Sequence, residues 1–369
     1  APGPGRPALP PRAGCIMILH GRLKNWYVKE SPMKRLRLTS AALALALFAA
    51  CAPSSPEEYS ATLLAMDTAM TLTAYGGQGE AALADAQDLI LDLEGLLSTT
   101  DQNSELYALN QGEAVALSSS TREVLEEALA LCQDTGGALD ITIYPVVRAW
   151  GFTTGQYQVP DDDALSALLE RVDYAQVQLT GDTLTLPEGV QIDLGAVAKG
   201  YTGDRLMELF RQAGAASAYV NLGGNVQVLG SSPDGDPWRI GIRDPEGEDY
   251  AAVVEVTDQA VVTSGAYERY FEQDGVRYGH IIDPSTGYPA DSGLASVTIV
   301  SPSGTLADAL STALFVMGPD RAAEYWRGRD DFDFILIGKD GSITISEGIE
   351  DSFSFSGEQG SVAFEVVRR

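Results

Sequence analysis

The chain has 369 residues, 45% of them hydrophobic and 21% charged, a balance that excludes a disordered polar chain and allows a large core. The net charge is −28, and residues 1–51 hold eight Lys or Arg against one acid, Glu30, so the remainder carries −35. A domain this acidic repels nucleic acid, anionic membrane surfaces and free nucleotides, unless a bound cation or backbone donors reverse the field locally.

Residues 1–32 are rich in Pro and Arg and precede a better start at Met33, so they read as an over-extended start. Residues 33–50 open with M-K-R-L-R-L and continue as a short apolar run. That run is well under the ~20 residues a membrane-spanning helix needs, and it reads as a signal peptide. It ends L-F-A-A-C, which resembles the lipobox of bacterial lipoproteins. The expected product is exported and lipid-anchored at Cys51, on the outer face of the cell membrane or in the periplasm. Residues 51–60 then form a flexible tether and residues 61–369 the functional domain. Beyond Cys51 only Cys132 remains, so no internal disulfide is expected.

Residues 62–75 read as one β segment ending at Gly76-Gly77, and residues 81–97 show helical leucine spacing. Ser104 caps a short helix, and Ser119 or Ser120 caps a helix over residues 121–132. Residues 138–152 read as a loop, 161–171 as a short amphipathic helix, 177–186 as a hairpin and 190–194 as a strand. A small-residue bend, D-L-G-A-V-A-K-G, leads into a helix reaching about Gly214. Strand-like stretches follow at 218–229, 238–243, 252–256 and 260–264. A hairpin about Asp274-Gly275 delivers the chain to His280. Residues 306–317 and 322–327 are helical, and 334–345 form a hairpin about Asp340-Gly341. Strands in hairpins and helices in groups favour an α+β fold over a doubly wound parallel sheet.

The chemistry concentrates in residues 279–312. G-H-I-I-D-P brings His280 and Asp283 onto one short segment, and His280 is the one histidine after the signal sequence. Farther on, Asp308 and Thr312 are spaced i, i+4, on one face of a largely apolar helix, with Ser311 beside them. Oxygen ligands of this kind suit a hard cation, and a nearby imidazole could move a proton. A capped or solvated helix face accounts for the trio about equally well. The 193–200 bend offers free backbone N–H groups and a helix N-terminus suited to phosphate, with Lys199 adding charge. An ordinary strand-to-helix turn with Asp193 as N-cap is the plainer account of it. V-N-L-G-G-N marks either a bulge or a close backbone approach to a ligand.

Taken in series, these motifs resemble the ApbE family of bacterial lipoproteins, the FAD:protein FMN transferases. The resemblance covers roughly residues 63–345. It rests on A-M-D-T, L-L-S-T with S-E-L-Y-A-L-N, G-A-L-D-I-T-I-Y-P with W-G-F, I-D-L-G-A-V-A-K-G-Y, V-N-L-G-G-N, T-S-G-A-Y, H-I-I-D-P-S-T-G-Y-P and A-D-A-L-S-T-A. It implies an ApbE-like fold of largely antiparallel sheets flanked by helices, in two interleaved lobes with the flavin site between them. It implies an enzyme that splits FAD with Mg²⁺, passes FMN to a Thr or Ser hydroxyl of a partner redox protein through a phosphoester bond, and releases AMP. Carried over by motif, the metal site falls on Asp308, Ser311, Thr312 and the backbone carbonyl of Ala196. Flavin contacts fall on Met66, Ala138, Leu139, Asp140, Asp193, Lys199 and Ile282. The place in L-S-T-T where the family can carry a stacking aromatic is Thr100 here. His280 is the expected base for the acceptor hydroxyl, with Asp283 orienting its ring or serving as base itself. An FAD pyrophosphatase releasing free FMN and AMP, or a non-catalytic flavin-binding lipoprotein, are the alternative readings.

Overall fold

The computed structural model describes residues 56–357 and 362–369. The expected over-extended start, the expected signal peptide and Cys51 lie outside them. The tether expected to run to residue 60 is replaced from Glu58 by strand.

β1 (Glu58–Ala65) and β2 (Thr68–Tyr75) form an antiparallel hairpin with Ala65 opposite Thr68. The single β segment expected over 62–75 is thus broken by a turn at Met66-Asp67, where φ is +48° and +59°. Such angles are costly for L-residues and are usually signalled by Asn-Gly, so the turn is not legible in the sequence. Glu94 helps to fix it by accepting the Met66 N–H at 2.6 Å.

A helical segment is inserted next. It comprises α1 (Gly79–Leu97), α2 (Glu105–Asn110), α3 (Ser119–Asp134), α4 (Tyr144–Ala149) and α5 (Asp162–Leu169), then the small hairpin of β3 (Gln178–Thr180) and β4 (Thr183–Thr185). Ser104 caps α2 as expected, but Ser118 rather than Ser119 or Ser120 caps α3, accepting from the Thr121 N–H. The expected loop at 138–152 contains α4, which starts with Pro145 in its first turn and buries Tyr144 and Val146. Residues 190–194 are no strand. Asn110 satisfies Ile192 instead, donating to its carbonyl at 2.8 Å and accepting from its N–H at 2.7 Å. A side-chain amide thus does the work of a neighbouring strand.

α6 (Ala198–Gln212) leads to β5 (Ser217–Leu222) and β6 (Asn225–Leu229), joined through Gly223-Gly224 at φ +68° and +97°. Then come β7 (Trp238–Arg243), β8 (Tyr250–Val256), β9 (Ala260–Gly265), the hairpin β10 (Tyr270–Gln273) and β11 (Val276–Gly279), and β12 (Leu294–Ser301). α7 (Gly304–Met317), α8 (Pro319–Arg327), β13 (Asp333–Gly338), β14 (Ile343–Ser346), β15 (Phe353–Phe355) and β16 (Phe364–Val367) complete the described chain.

The main sheet runs β1-β2-β5-β6-β9-β12-β13-β14-β16, antiparallel throughout except for the parallel β14–β16 pair. Alternation along each strand sends side chains to two layers. Val226, Val228, Ile335 and Ile337 pack against Trp238, Ile240 and Val254 of the three-stranded β15-β8-β7 sheet. On the opposite face Leu72, Val220 and Val262 pack under α1, α6 and α7. The inserted helices close over α6 and α7 through Leu106, Val124, Ile192, Leu194 and Ala309. The expected α+β architecture of antiparallel sheets flanked by helices is what the chain adopts.

One crossing fixes the site. α6 and α7 touch through glycines: a Cβ on Gly200 would lie 2.2 Å from the Gly304 carbonyl oxygen and 2.8 Å from the Asp308 Cβ. Gln227 of β6 threads between them and donates to the Gly200 carbonyl at 2.9 Å. Asp204 caps α7 by accepting from Gly304 and Thr305 N–H groups. With glycines at the crossing, α7 comes close enough to lay its polar face against the N-terminus of α6.

Candidate active site

Asp308 is buried on α7, and its Oδ2 accepts the Gly200 N–H at 2.9 Å. Gly200 stands in the first turn of α6, where backbone N–H groups have no partner within the helix, and Asp308 supplies one. The other oxygen of Asp308, Oδ1, is 3.8 Å from Lys199 Nζ, which also donates to the Gly195 carbonyl at 3.2 Å. Ser311 and Thr312 lie on the same helix, and Ser264 of β9 joins them: its Oγ is 2.7 Å from Ser311 Oγ and 3.4 Å from Thr312 Oγ1. Ser311 also donates to the Asp308 carbonyl at 2.8 Å. One carboxylate and three hydroxyls thus meet at one crossing, with Lys199 beside them.

This donor set fits a hard divalent cation such as Mg²⁺, which prefers oxygen and tolerates few protein carboxylates. Among the described residues there is no cluster of three or more His, Cys, Asp or Glu of the kind soft or borderline metals use. On β6, two residues from Gln227, the buried carboxamide of Asn225 has neither its oxygen nor its nitrogen bonded, so polar capacity remains there that the protein alone does not use.

Asp193 does not cap α6, since the N-cap position is Val197. Its Oδ1 accepts from Gly195 N–H at 2.6 Å and so stiffens the bend that presents Lys199. Burial pushes its carboxyl above the usual range, while Gly195 N–H and the charges of Lys199 and Arg269 pull it back.

His280 follows β11 directly. Its Nδ1 lies 3.2 Å from the Arg269 carbonyl, and its backbone N–H donates to the same oxygen at 3.0 Å. A carbonyl can only accept, so Nδ1 carries the proton and Nε2 keeps its lone pair. Desolvation, with the cations Arg269 and Lys199 nearby, brings the ring down to about 4. His280 is therefore neutral at physiological pH. Phe152 meets the ring edge-on at 6.4 Å.

Asp283 does not orient that ring. Its Oδ1 accepts from Ser285 N–H and Oγ at 2.8 and 2.7 Å, and its carbonyl closes the turn to Gly287. The Arg269 carbonyl performs the orienting that the sequence assigned to Asp283. Asp140 is similarly engaged: Thr142 donates twice to Oδ1 and Tyr174 N–H donates to Oδ2. That leaves it pinning the segment that holds buried Ala138 and Leu139. Ile282 is buried among Val146, Trp150 and Phe152. Met66 tops the strained β1–β2 turn, and its Sδ lies 3.9 Å from Thr202 Oγ1 on α6. Thr100 is exposed and bonded to Ser98.

The sequence reading missed two groups. Ser264 sits in T-S-G-A-Y, where alternation along β9 points it at α7, and only the strand pairing reveals that. Glu268, directly after the same motif, reaches the site after a tight turn in which its N–H donates to the Gly265 carbonyl. Burial raises its carboxyl to about 7, with Asp308 adding to the rise and Lys199 and Arg243 opposing it. Its Oε1 lies 3.5 Å from where a Cβ on Gly224 would stand.

A hard-cation cluster, a lysine at a helix N-terminus and a neutral, oriented imidazole are the parts of a site that handles a phosphate ester or anhydride. The ApbE family profile matches residues 66–336. The chain belongs to the ApbE family. It is 39% identical over 319 residues to the FAD:protein FMN transferase of Treponema pallidum (strain Nichols), covering 80% of this chain and 88% of that protein. The crystal structure of the ApbE protein of Thermotoga maritima superposes with a TM-score of 0.76 at 32% identity, covering 80% of this chain and 99% of that one. The flavin transferase ApbE of Vibrio cholerae does so with a TM-score of 0.74 at 31% identity, covering the same shares.

Proposed function

We propose that this chain is an Mg²⁺-dependent FAD:protein FMN transferase, exported and anchored by lipid at Cys51. It moves FMN from FAD to a Thr or Ser hydroxyl of a partner redox protein. The observation that carries this reading is the meeting of Asp308, the Ser264–Ser311–Thr312 hydroxyls and Lys199 at one helix crossing, with the charge of Lys199 bearing on His280 as well. The names of the relatives support it.

FAD is the substrate. Its diphosphate is repelled by a domain of net −35, so the site must reverse the field locally. Asp308, Thr312, Ser311 and the Ala196 carbonyl would hold Mg²⁺, which when bound supplies neutralisation of phosphate charge. Lys199 exchanges its Gly195 carbonyl partner for a phosphate oxygen.

The acceptor hydroxyl attacks the phosphorus on the FMN side. A new P–O bond forms, the P–O–P bond breaks, and AMP leaves with the electron pair. The proton of the hydroxyl passes to His280 Nε2. At about 4 the ring is a weak base before substrate binds, but the approaching phosphates favour the imidazolium and raise its affinity for a proton. The base is thus strengthened by the substrate it serves. Ring orientation stays with the Arg269 carbonyl throughout.

Incubation with FAD, Mg²⁺ and an acceptor domain, followed by intact-mass measurement, should show an acceptor heavier by one FMN residue. Omission of Mg²⁺, or Asp308→Asn, should abolish the shift while Asn keeps an acceptor for the Gly200 N–H. His280→Ala should slow transfer by roughly 10²–10⁴-fold. Free FMN and AMP with no acceptor modified would instead indicate a pyrophosphatase. Intact FAD after long incubation would indicate a flavin-binding protein.

A further inference from the structure

Asn225 opens β6 immediately after the Gly223-Gly224 turn and is 1% exposed. Both ends of its carboxamide are buried, and neither has a hydrogen-bond partner. Leaving such a group unpaired costs about 1–3 kcal/mol, so buried carboxamides normally find partners. An apolar residue of the same size would fill the space without that cost.

The register shows what Asn225 faces. It shares a strand face with Gln227, whose Nε2 holds the Gly200 carbonyl. Gly200 in turn holds Asp308 through its N–H. On the other side Asn225 pairs with Val262 of β9. Two residues farther along the same face stands Ser264, bonded to Ser311 and Thr312. Asn225 therefore lies between two polar chains, one ending at the Asp308 carboxylate and the other at the Thr312 hydroxyl. Its neighbour Gly224 adjoins the Glu268 carboxylate.

We propose that Asn225 is a positioning residue for the divalent-cation site, its Oδ1 and Nδ2 holding the coordinated water and the hydroxyl chain that set Asp308 and Thr312 for the ion. This rests on the proposed function and adds to it a ligand-orienting partner from the sheet beneath the helices. An oxygen that accepts from cation-bound water and a nitrogen that donates to a hydroxyl are both satisfied at once in this role. Partners of this kind change metal affinity by about 10–100-fold when removed.

The test is Mn²⁺ binding to the purified protein, measured by loss of the free-ion EPR signal, with thermal unfolding of the metal-free protein alongside. Asn225→Leu should weaken Mn²⁺ binding at least about tenfold, while the metal-free protein unfolds at the same or a higher temperature. A merely structural asparagine would move these readouts the other way, with lower stability and unchanged Mn²⁺ affinity, and that result overturns the proposal. Should Asn225→Leu fail to fold, Asn225→Asp keeps size and oxygen but adds charge. It should tighten Mn²⁺ binding, and an unchanged affinity overturns the proposal. Asp308→Asn separates the two levels of the account. If it weakens Mn²⁺ while Asn225→Leu does not, only the role of Asn225 falls. If neither weakens it, the cation site itself is misplaced.

Discussion

At the scale of single residues, burial rather than pairing sets the charge states of the site. Glu268 and His280 are shifted in opposite directions by the same desolvation, the carboxyl up to about 7 and the imidazole down to about 4. Both are therefore biased toward their neutral forms. The two shifts have opposite consequences for stability. Glu268 has an ordinary value of 4.5, so between pH 4.5 and about 7 the folded protein binds the extra proton. Stability from this group is complete below 4.5 and is lost as pH rises through 7. His280 has an ordinary value of 6.5, so the unfolded chain binds the proton between about 4 and 6.5. Its contribution is present above 6.5 and is lost as pH falls through 4. Glu268→Gln isolates the first effect. In metal-free protein the variant should gain stability over the parent as pH rises from 4.5 to 7, with little difference at pH 4. Chemical denaturation at pH 4 and pH 8 checks this, and an equal gain at both would show that Glu268 is not desolvated as described.

At the scale of elements, the site depends on two helices meeting through glycines, with one side chain of the sheet between them. Gly200, Gly203 and Gly304 leave room for Gln227: a Cβ on Gly203 would lie 2.1 Å from its Nε2, and one on Gly304 1.7 Å. Gly200→Ala should push α7 away from α6, break the Gly200–Asp308 bond and cost about 1–3 kcal/mol as an overpacked core does. The drop in denaturation midpoint should be accompanied by loss of Mg²⁺ affinity. An unchanged midpoint would show that the crossing tolerates a methyl group. The sequence disclosed α6 and α7 and the i, i+4 spacing of Asp308 and Thr312, because helical period and caps are local signals. It disclosed the hairpins at Asp274-Gly275 and Asp340-Gly341 for the same reason. It hid the Met66-Asp67 turn, where Glu94 from α1 holds angles that no turn residue advertises. It hid Ser264 and Asn225 because their relevance lies in strand register, a long-range property. It offered Asp283 as the group orienting His280 because neighbours in sequence suggested an interaction that the Asx turn with Ser285 takes up.

At the scale of the molecule, an acidic domain that takes an anionic substrate needs a local reversal of its field, and the proposed place for it is one seam, where Lys199 stands. That seam lies where the inserted helices close over α6 and α7, and the nine-stranded sheet beneath it supplies Gln227, Asn225 and Ser264 on one face. The smaller β15-β8-β7 sheet covers the opposite face with Trp238, Ile240 and Val254 and stiffens it. The one acidic side chain of the cluster that α7 itself contributes, Asp308, is paired with Lys199 at 3.8 Å. On the proposed function, a divalent ion entering there would displace that ammonium toward the diphosphate. The most direct measurement is therefore anomalous diffraction from crystals grown with Mn²⁺ and FAD. A peak bridging the Asp308 carboxylate, Thr312 Oγ1 and the FAD phosphates, with Lys199 turned onto the phosphates, is the expected result. A diphosphate bound with its ion elsewhere, or bound with no ion at all while Lys199 still faces Asp308, would contradict it.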